Sequence, residues 1–303
     1  MAVAPAPAET VALEGGSLPP GRLAGVRRVA RRNPLLAVGA SMCLVIVVLA
    51  VLAPVIAPFP DDAGSATHAL ETLESPSAAH PFGTDQVGRD VLSRVLYGAR
   101  ISPLIALLVL VIACAVGLPL GIAAGYFGGW VDDVIMRVTD VFLAFPALLL
   151  ALAFAAVMRP SITNTVIAIA VTWWPWYARI VRGQAASVAA RPYIESARAM
   201  GIPHRRILLR HVLPNSITPV IVQVSLDVGG VILTASALSF LGLGAQDPTP
   251  DWGLMVSQGQ AFFTTHWWLV TFPGAAILFT AVAFNLLGDG LRDVLDPRRV
   301  LTR

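Results

Sequence analysis

The sequence predicts an all-α membrane protein with six transmembrane helices and both termini in the cytoplasm. Three observations carry that prediction. The 303 residues are 56% hydrophobic and only 13% charged, whereas a soluble domain has roughly 45–50% apolar and about 25% charged residues. The apolar residues gather into six runs. The basic residues, all arginine, sort unevenly between the two sides that those runs define.

Residues 1–33 are rich in Ala, Pro and Gly and end in a basic cluster of Arg22, Arg27, Arg28, Arg31 and Arg32. They read as a flexible cytoplasmic tail. The first membrane helix follows at 34–57, its uncharged stretch spanning about 33 Å at 1.5 Å per residue. A signal peptide would have an apolar region of only about 7–15 residues, so this segment reads as a retained helix. An external loop is expected at 58–100, carrying Asp61, Asp62, Glu71, Glu74, Asp85 and Asp90. The membrane core is expected at 101–303, with spans near 101–125, 134–158, 165–180, 216–242 and 269–288. No strand alternation marks a β-barrel. Helices are the remaining way to satisfy backbone polar groups in lipid.

Six spans place 17 arginines on the side of the termini and four, Arg89, Arg94, Arg100 and Arg159, on the other. The positive-inside rule makes the first side cytoplasmic. Trp130, Trp173, Trp174, Trp176, Trp267 and Trp268 fall near the span edges. Such edges favour amphipathic rings.

Composition also excludes functions. The chain has no lysine, so it has no phosphate loop of the GxxxxGK[ST] kind. No basic stripe interleaved with exposed aromatics suggests nucleic-acid binding. Cys43 and Cys114 sit in apolar runs and read as inert buried thiols. No His, Cys and Asp cluster has metal-site spacing, and no nucleophile–base pair suggests catalysis.

The cytoplasmic segment 181–215 holds the most local information. Within it lies Arg191-Pro-Tyr-Ile-Glu-Ser-Ala-Arg-Ala-Met-Gly201-Ile-Pro203. Pro192 suits a first helical position. Glu195 suits the positive end of the helix dipole, and Gly201 suits the left-handed position that ends a helix. The spacing predicts a short helix with a hard stop at each end, with Ile194, Ala197 and Gly201 on a smooth face. A second helix would start at Pro203 and end by Pro214. A helix this short is marginal alone, so it needs a docking partner or the ends of its own bundle. The residues leave both readings open.

Glu195-Ser196-Ala197, then Gly201, then Leu213-Pro214, resembles the EAA loop of ABC-importer permeases. Ser196 stands for the usual Ala and His211 for the usual Ile. The likeness continues through His80-Pro-Phe-Gly-Thr-Asp85, Gly88-Arg-Asp-Val-Leu-Ser-Arg94, Leu238-Ser-Phe-Leu-Gly-Leu-Gly244 and Ala283-Phe-Asn-Leu-Leu-Gly-Asp-Gly-Leu-Arg-Asp-Val-Leu-Asp-Pro-Arg298. Over about residues 80–298 the chain is similar to the second permease of dipeptide, oligopeptide or nickel importers. The resemblance implies a type I importer fold in a bacterial cytoplasmic membrane. It implies a homologous second permease, two ATPase subunits holding ATP and Mg, and an extracytoplasmic binding protein that selects substrate. Glu195, Ala197 and Gly201 would lie at or near the ATPase contact. The family's Glu before LSFLGLG is replaced by Ala235, which weakens any transfer of substrate preference.

Two further features stand out. Gly117, Gly121 and Gly125 form a doubled GxxxG, a device for close helix approach within the chain or between subunits. Asp227 falls midway along the fifth span, where an ionised carboxylate costs ~2.5–3.5 kcal/mol on insertion scales. It should face a cavity or a partner, either on a translocation path where it could meet a positively charged substrate group, or as a protonated or hydrogen-bonded structural residue. An ion-coupled transporter would need more intramembrane acids. An embedded enzyme would need clustered polar residues in the spans.

Overall fold

In a computed structural model, residues 33–295 are described. The tail expected at 1–33 lies outside the described residues except for Asn33, as do Arg298, Arg299 and Arg303. Among the described residues the fold is helical, with one isolated bridge between Thr84 and Asp90.

The long helices are α1 (Pro34–Ile56), α2 (Val91–Phe127), α5 (Ile162–Ala189), α8 (Leu213–Phe240) and α10 (Trp268–Leu295). Between them lie α3 (Gly129–Leu143), α4 (Ala147–Val157), α6 (Pro192–Ala199), α7 (His204–Ile207) and α9 (Trp252–Gly259). The α2–α5 pair forms the heart of the bundle, flanked by α8 and α10. Helix α1 lies on α10 and turns Leu44, Val47, Val51 and Val55 outward. A Cβ at Gly39 would lie 2.7 Å from the Leu286 carbonyl carbon, and one at Gly290 would lie 2.6 Å from Leu36 Cβ. The start of α1 therefore sits beside the end of α10, so both ends of the described chain share one side.

Four helices are long and apolar enough to cross a bilayer: α1, α2, the continuous His204–Phe240 and Trp268–Val294. The bent pair α3–α4 makes a fifth. The sixth expected span, α5, is 28 residues long, or about 42 Å. It carries Asn164, Trp173, Trp174, Trp176, Tyr177, Arg179 and Arg182. It is not apolar enough to count with the others and buries many residues against protein, so the described residues give four or five such helices where six spans were expected.

Several expectations need correction. The span expected at 134–158 is broken at 144–146, where α3 and α4 bend by 85°. Pro146 disfavours helical backbone in the residue before it. The external loop ends at 90, because Asp90 caps α2 by accepting the Ser93 amide at 2.7 Å. Most of 181–215 is helix: α5 runs to Ala189, and α7 passes through a π-turn (Leu208–Val212) directly into α8. Pro214 therefore ends nothing. A proline clashes with the carbonyl four residues back, and the wider π-turn sits where Arg210 would present it. Trp174 and Trp268 are buried rather than interfacial, the latter donating its indole N–H to the Thr84 carbonyl at 3.2 Å. The last span, expected to end near 288, continues as α10 to Leu295, with Gly288 and Gly290 inside it against Leu226 and Leu36.

The structure places Gly117, Gly121 and Gly125 against α5. Cβ atoms there would meet Tyr177 Cβ at 2.8 Å, Val181 Cβ at 2.9 Å and Ala185 Cβ at 2.8 Å. The doubled GxxxG is an intramolecular seam.

Candidate functional site

Three places matter: the cytoplasmic helix α6, the mid-span Asp227 and the external face.

Helix α6 is built from local signals. Pro192 opens it. At its end Gly201 takes φ +74°. The Gly201 amide donates to the Arg198 carbonyl at 3.0 Å and the Ile202 amide to the Ala197 carbonyl at 3.1 Å. That bond pair is the Schellman closure, which a left-handed glycine permits. Ile194 is 0% exposed and Ala197 5%, so both turn into the bundle above fully buried Ile207. Ala197 is therefore an anchor on the inner face of the helix. The outward face carries Tyr193, Glu195, Ser196 and Met200, the last 71% exposed, with Gly201 beyond. Ser196 Oγ donates back to the Pro192 carbonyl at 3.0 Å.

A second anchor ties this segment to the end of α2. Arg198 lies 4.4 Å over the Tyr126 ring and its Nε donates to Tyr126 Oη at 3.3 Å. Tyr126 Oη also meets His204 Nδ1 at 2.7 Å. Sequence reading missed these three residues, since no local pattern joins positions so far apart. Leu213 is partly buried and Pro214 exposed at the base of α8.

Asp227 is half-buried on α8. Tyr177 Oη donates to its Oδ2 at 2.7 Å, and Gln223 Nε2 donates to its Oδ1 at 2.8 Å. Tyr177 is wholly buried on α5. Cys114 lies one turn before Gly117 on α2, where an added Cβ would meet Tyr177 Cβ at 2.8 Å. Cys114 also lines an apolar cavity of about 460 Å³ formed by α2 with Leu208, Leu209 and Leu213. Ala235 is 5% exposed, so the position where the family carries a Glu is an apolar contact here.

The external face is stapled by buried charge. Arg89 is 2% exposed and Arg94 1%. Arg89 Nε donates to Asp85 Oδ2 at 2.7 Å and its Nη1 to Asp247 Oδ1 at 3.0 Å. Arg94 Nη1 donates to the Asp62 carbonyl at 3.1 Å. Burial raises the Asp247 carboxyl, but hydrogen bonds from Gln258 and Arg89 outweigh it and hold the group below its usual range. Two of the four external arginines are thus buried, Arg89 paired with Asp85 and Asp247, and Arg94 with its Nε 3.8 Å from Asp85 Oδ2. Asp62 Oδ2 accepts the Asp90 amide at 2.7 Å, and its Oδ1 meets His68 Nε2 at 2.8 Å.

That bond with Asp62 holds the exposed His68 imidazole above its ordinary value near 6.5. A raised histidine stabilises fully below its unfolded value, and the contribution fades as pH rises through the folded value. The segment 58–90 is therefore expected to become more protease-sensitive as pH rises above neutrality. Limited proteolysis across pH, with His68→Ala as the variant that loses the dependence, checks this.

Among the described residues no three His, Cys, Asp or Glu side chains gather as a metal site requires.

The helical bundle, with four helices long and apolar enough to cross a bilayer, defines an integral membrane protein. The family model for binding-protein-dependent transport system inner membrane components matches residues 117–300, and that for the N-terminal TM domain of oligopeptide transport permease C matches residues 22–76. A dipeptide transport system permease protein of Alkalihalophilus pseudofirmus is 42% identical over 88% of this chain and 87% of its own length. A probable D,D-dipeptide transport system permease protein of Escherichia coli is 44% identical over 88% of each chain. A glutathione transport system permease protein of Pectobacterium atrosepticum is 42% identical over 90% of this chain and 89% of its own. Among solved structures, the MetNI methionine ABC transporter in inward-facing form shares the fold, with a TM-score of 0.53 at 15% identity, over 69% of this chain and 97% of that one.

The chain belongs to the family of binding-protein-dependent transport system inner membrane components. It is a multi-pass permease of the bacterial inner membrane with the ABC-importer fold.

Proposed function

We propose that this chain is one of two homologous permease subunits of an ATP-driven importer of short peptides. An external binding protein delivers substrate, and two separate ATPase subunits bind ATP and Mg and drive the bundle through α6. The observation that carries the reading is α6 itself. It is fastened inward by Ile194, Ala197 and Arg198, while Tyr193, Glu195, Ser196 and Met200 project into the cytoplasm. A helix with one face fixed to the bundle and the other free can pass force between a partner and the spans. Peptides are the substrate class because relatives over 40% identical carry dipeptide and glutathione names.

The test is a variant combining Glu195→Arg with Gly201→Pro. Proline cannot adopt the φ of +74° found at Gly201, since its ring fixes φ near −65°. In proteoliposomes with all partners, uptake of a dipeptide should fall by at least ~10-fold, a loss of about 1.4 kcal/mol of coupling, while ATP hydrolysis continues. Normal coupled uptake would refute the role of α6. Uptake that proceeds in wild type without ATP would refute the importer reading altogether.

A further inference from the structure

We propose that Asp227 receives the ammonium group of the transported peptide at mid-membrane, with the Trp173 indole N–H taking a carbonyl oxygen of the same peptide. This rests on the peptide-import reading above and names the chemistry that its pathway recognises.

The argument begins with charge. The two hydrogen-bond partners of Asp227, Tyr177 and Gln223, are both neutral donors. They orient the carboxyl and bring no compensating charge. A carboxylate offers about four lone-pair sites, and two remain. A lone charge at this depth is costly, and its field is far stronger there than in water. A mobile cation is the complement that such a group lacks.

A donor stands beside it. Trp173 lies one helical turn before Tyr177 on α5, and Gly230 lies one turn after Asp227 on α8. The indole edge covers Gly230, where an added Cβ would come within 3.3 Å of Trp173 Cη2. Trp173 Nε1 is buried and makes no hydrogen bond. Buried indole N–H groups ordinarily find a partner. The two helices thus hold a carboxyl acceptor and an unused donor one helical turn apart in register. An extended dipeptide advances about 3.3 Å per residue, so its ammonium and a backbone carbonyl oxygen can meet the two groups together.

The test uses the transporter reconstituted with its ATPase and binding-protein partners, and alanyl-alanine as probe. Asp227→Asn should lower uptake at least ~10-fold, about 1.4 kcal/mol, while Asp227→Glu stays within about threefold. Trp173→Phe should raise KM more than it lowers kcat, as loss of a binding contact does. A second readout does not need transport. With Cys43→Ala in place, Cys114 should react faster with a cationic methanethiosulfonate than with an anionic one, by ~10-fold or more from local charge. Alanyl-alanine should protect it, and Asp227→Asn should erase the preference. If the Asn variant does not fold, the two reagents on Cys114 with and without alanyl-alanine decide alone. Uptake within about twofold of normal in Asp227→Asn, or equal reaction of both reagents at Cys114, would overturn the ammonium site and leave the importer reading standing. Absence of ATP-driven uptake in wild type would instead remove the importer reading.

Discussion

Replacing Arg89 with alanine should destabilise the protein by ~3–5 kcal/mol, the usual cost of breaking a buried ion pair by removing one partner. Asp85 is 6% exposed and would lose the 2.7 Å bond to Arg89 Nε. Asp247 would lose its bond as well, and the segment before α2 would come free of the stretch before α9. The check is the midpoint of thermal unfolding in detergent, followed by tryptophan fluorescence. An Arg89→Ala protein within about 0.5 kcal/mol of wild type would be the size of an ordinary surface change, and would show that this network does not hold the external cap.

The second large effect is expected at Gly121. Its Cβ would fall on the Ala178 carbonyl oxygen and 2.9 Å from Val181 Cβ. Backbone cannot yield as a flexible side chain can. Gly121→Ala should cost ~1–3 kcal/mol, the range for overpacking a well-filled core. Gly121→Leu should prevent recovery of folded protein. Gly183→Ala is the control on the same helix pair. It meets nothing within 4 Å, so the lower chain entropy of Ala should stabilise α5 by roughly 0.5–1 kcal/mol. Equal effects at 121 and 183 would mean that helix propensity, not close approach, sets the outcome.

These effects divide along the line between what was legible in the sequence and what was not. Helix α6 was legible because Pro192 and Gly201 act within one turn of themselves. Which of its faces points inward was not, since that depends on Ile207 and Tyr126, which arrive from elsewhere. The apolar runs were legible because lipid selects composition. The elbow at 144–146 was not, because hydropathy measures solvent and is blind to direction, although Pro146 was the available signal. The i,i+4 spacing of Asp85 and Arg89 could have been noticed. Their link to Asp247 spans 158 residues and exists only in three dimensions. Asp227 was singled out by its cost, while Tyr177 and Trp173 passed as ordinary aromatics of a span.

One last consequence concerns the helix that runs unbroken from His204 to Phe240. Its 37 residues make a lever of about 55 Å, with Asp227 somewhat above the middle. If a nudge at His204 tips the lever by about ten degrees around its centre, the two tips travel about 5 Å in opposite senses. Paired spin labels at the tips, measured against α2, should then report distances that change with opposite sign. In the proposed importer, such a lever would couple opening at one end of this helix to closing at the other.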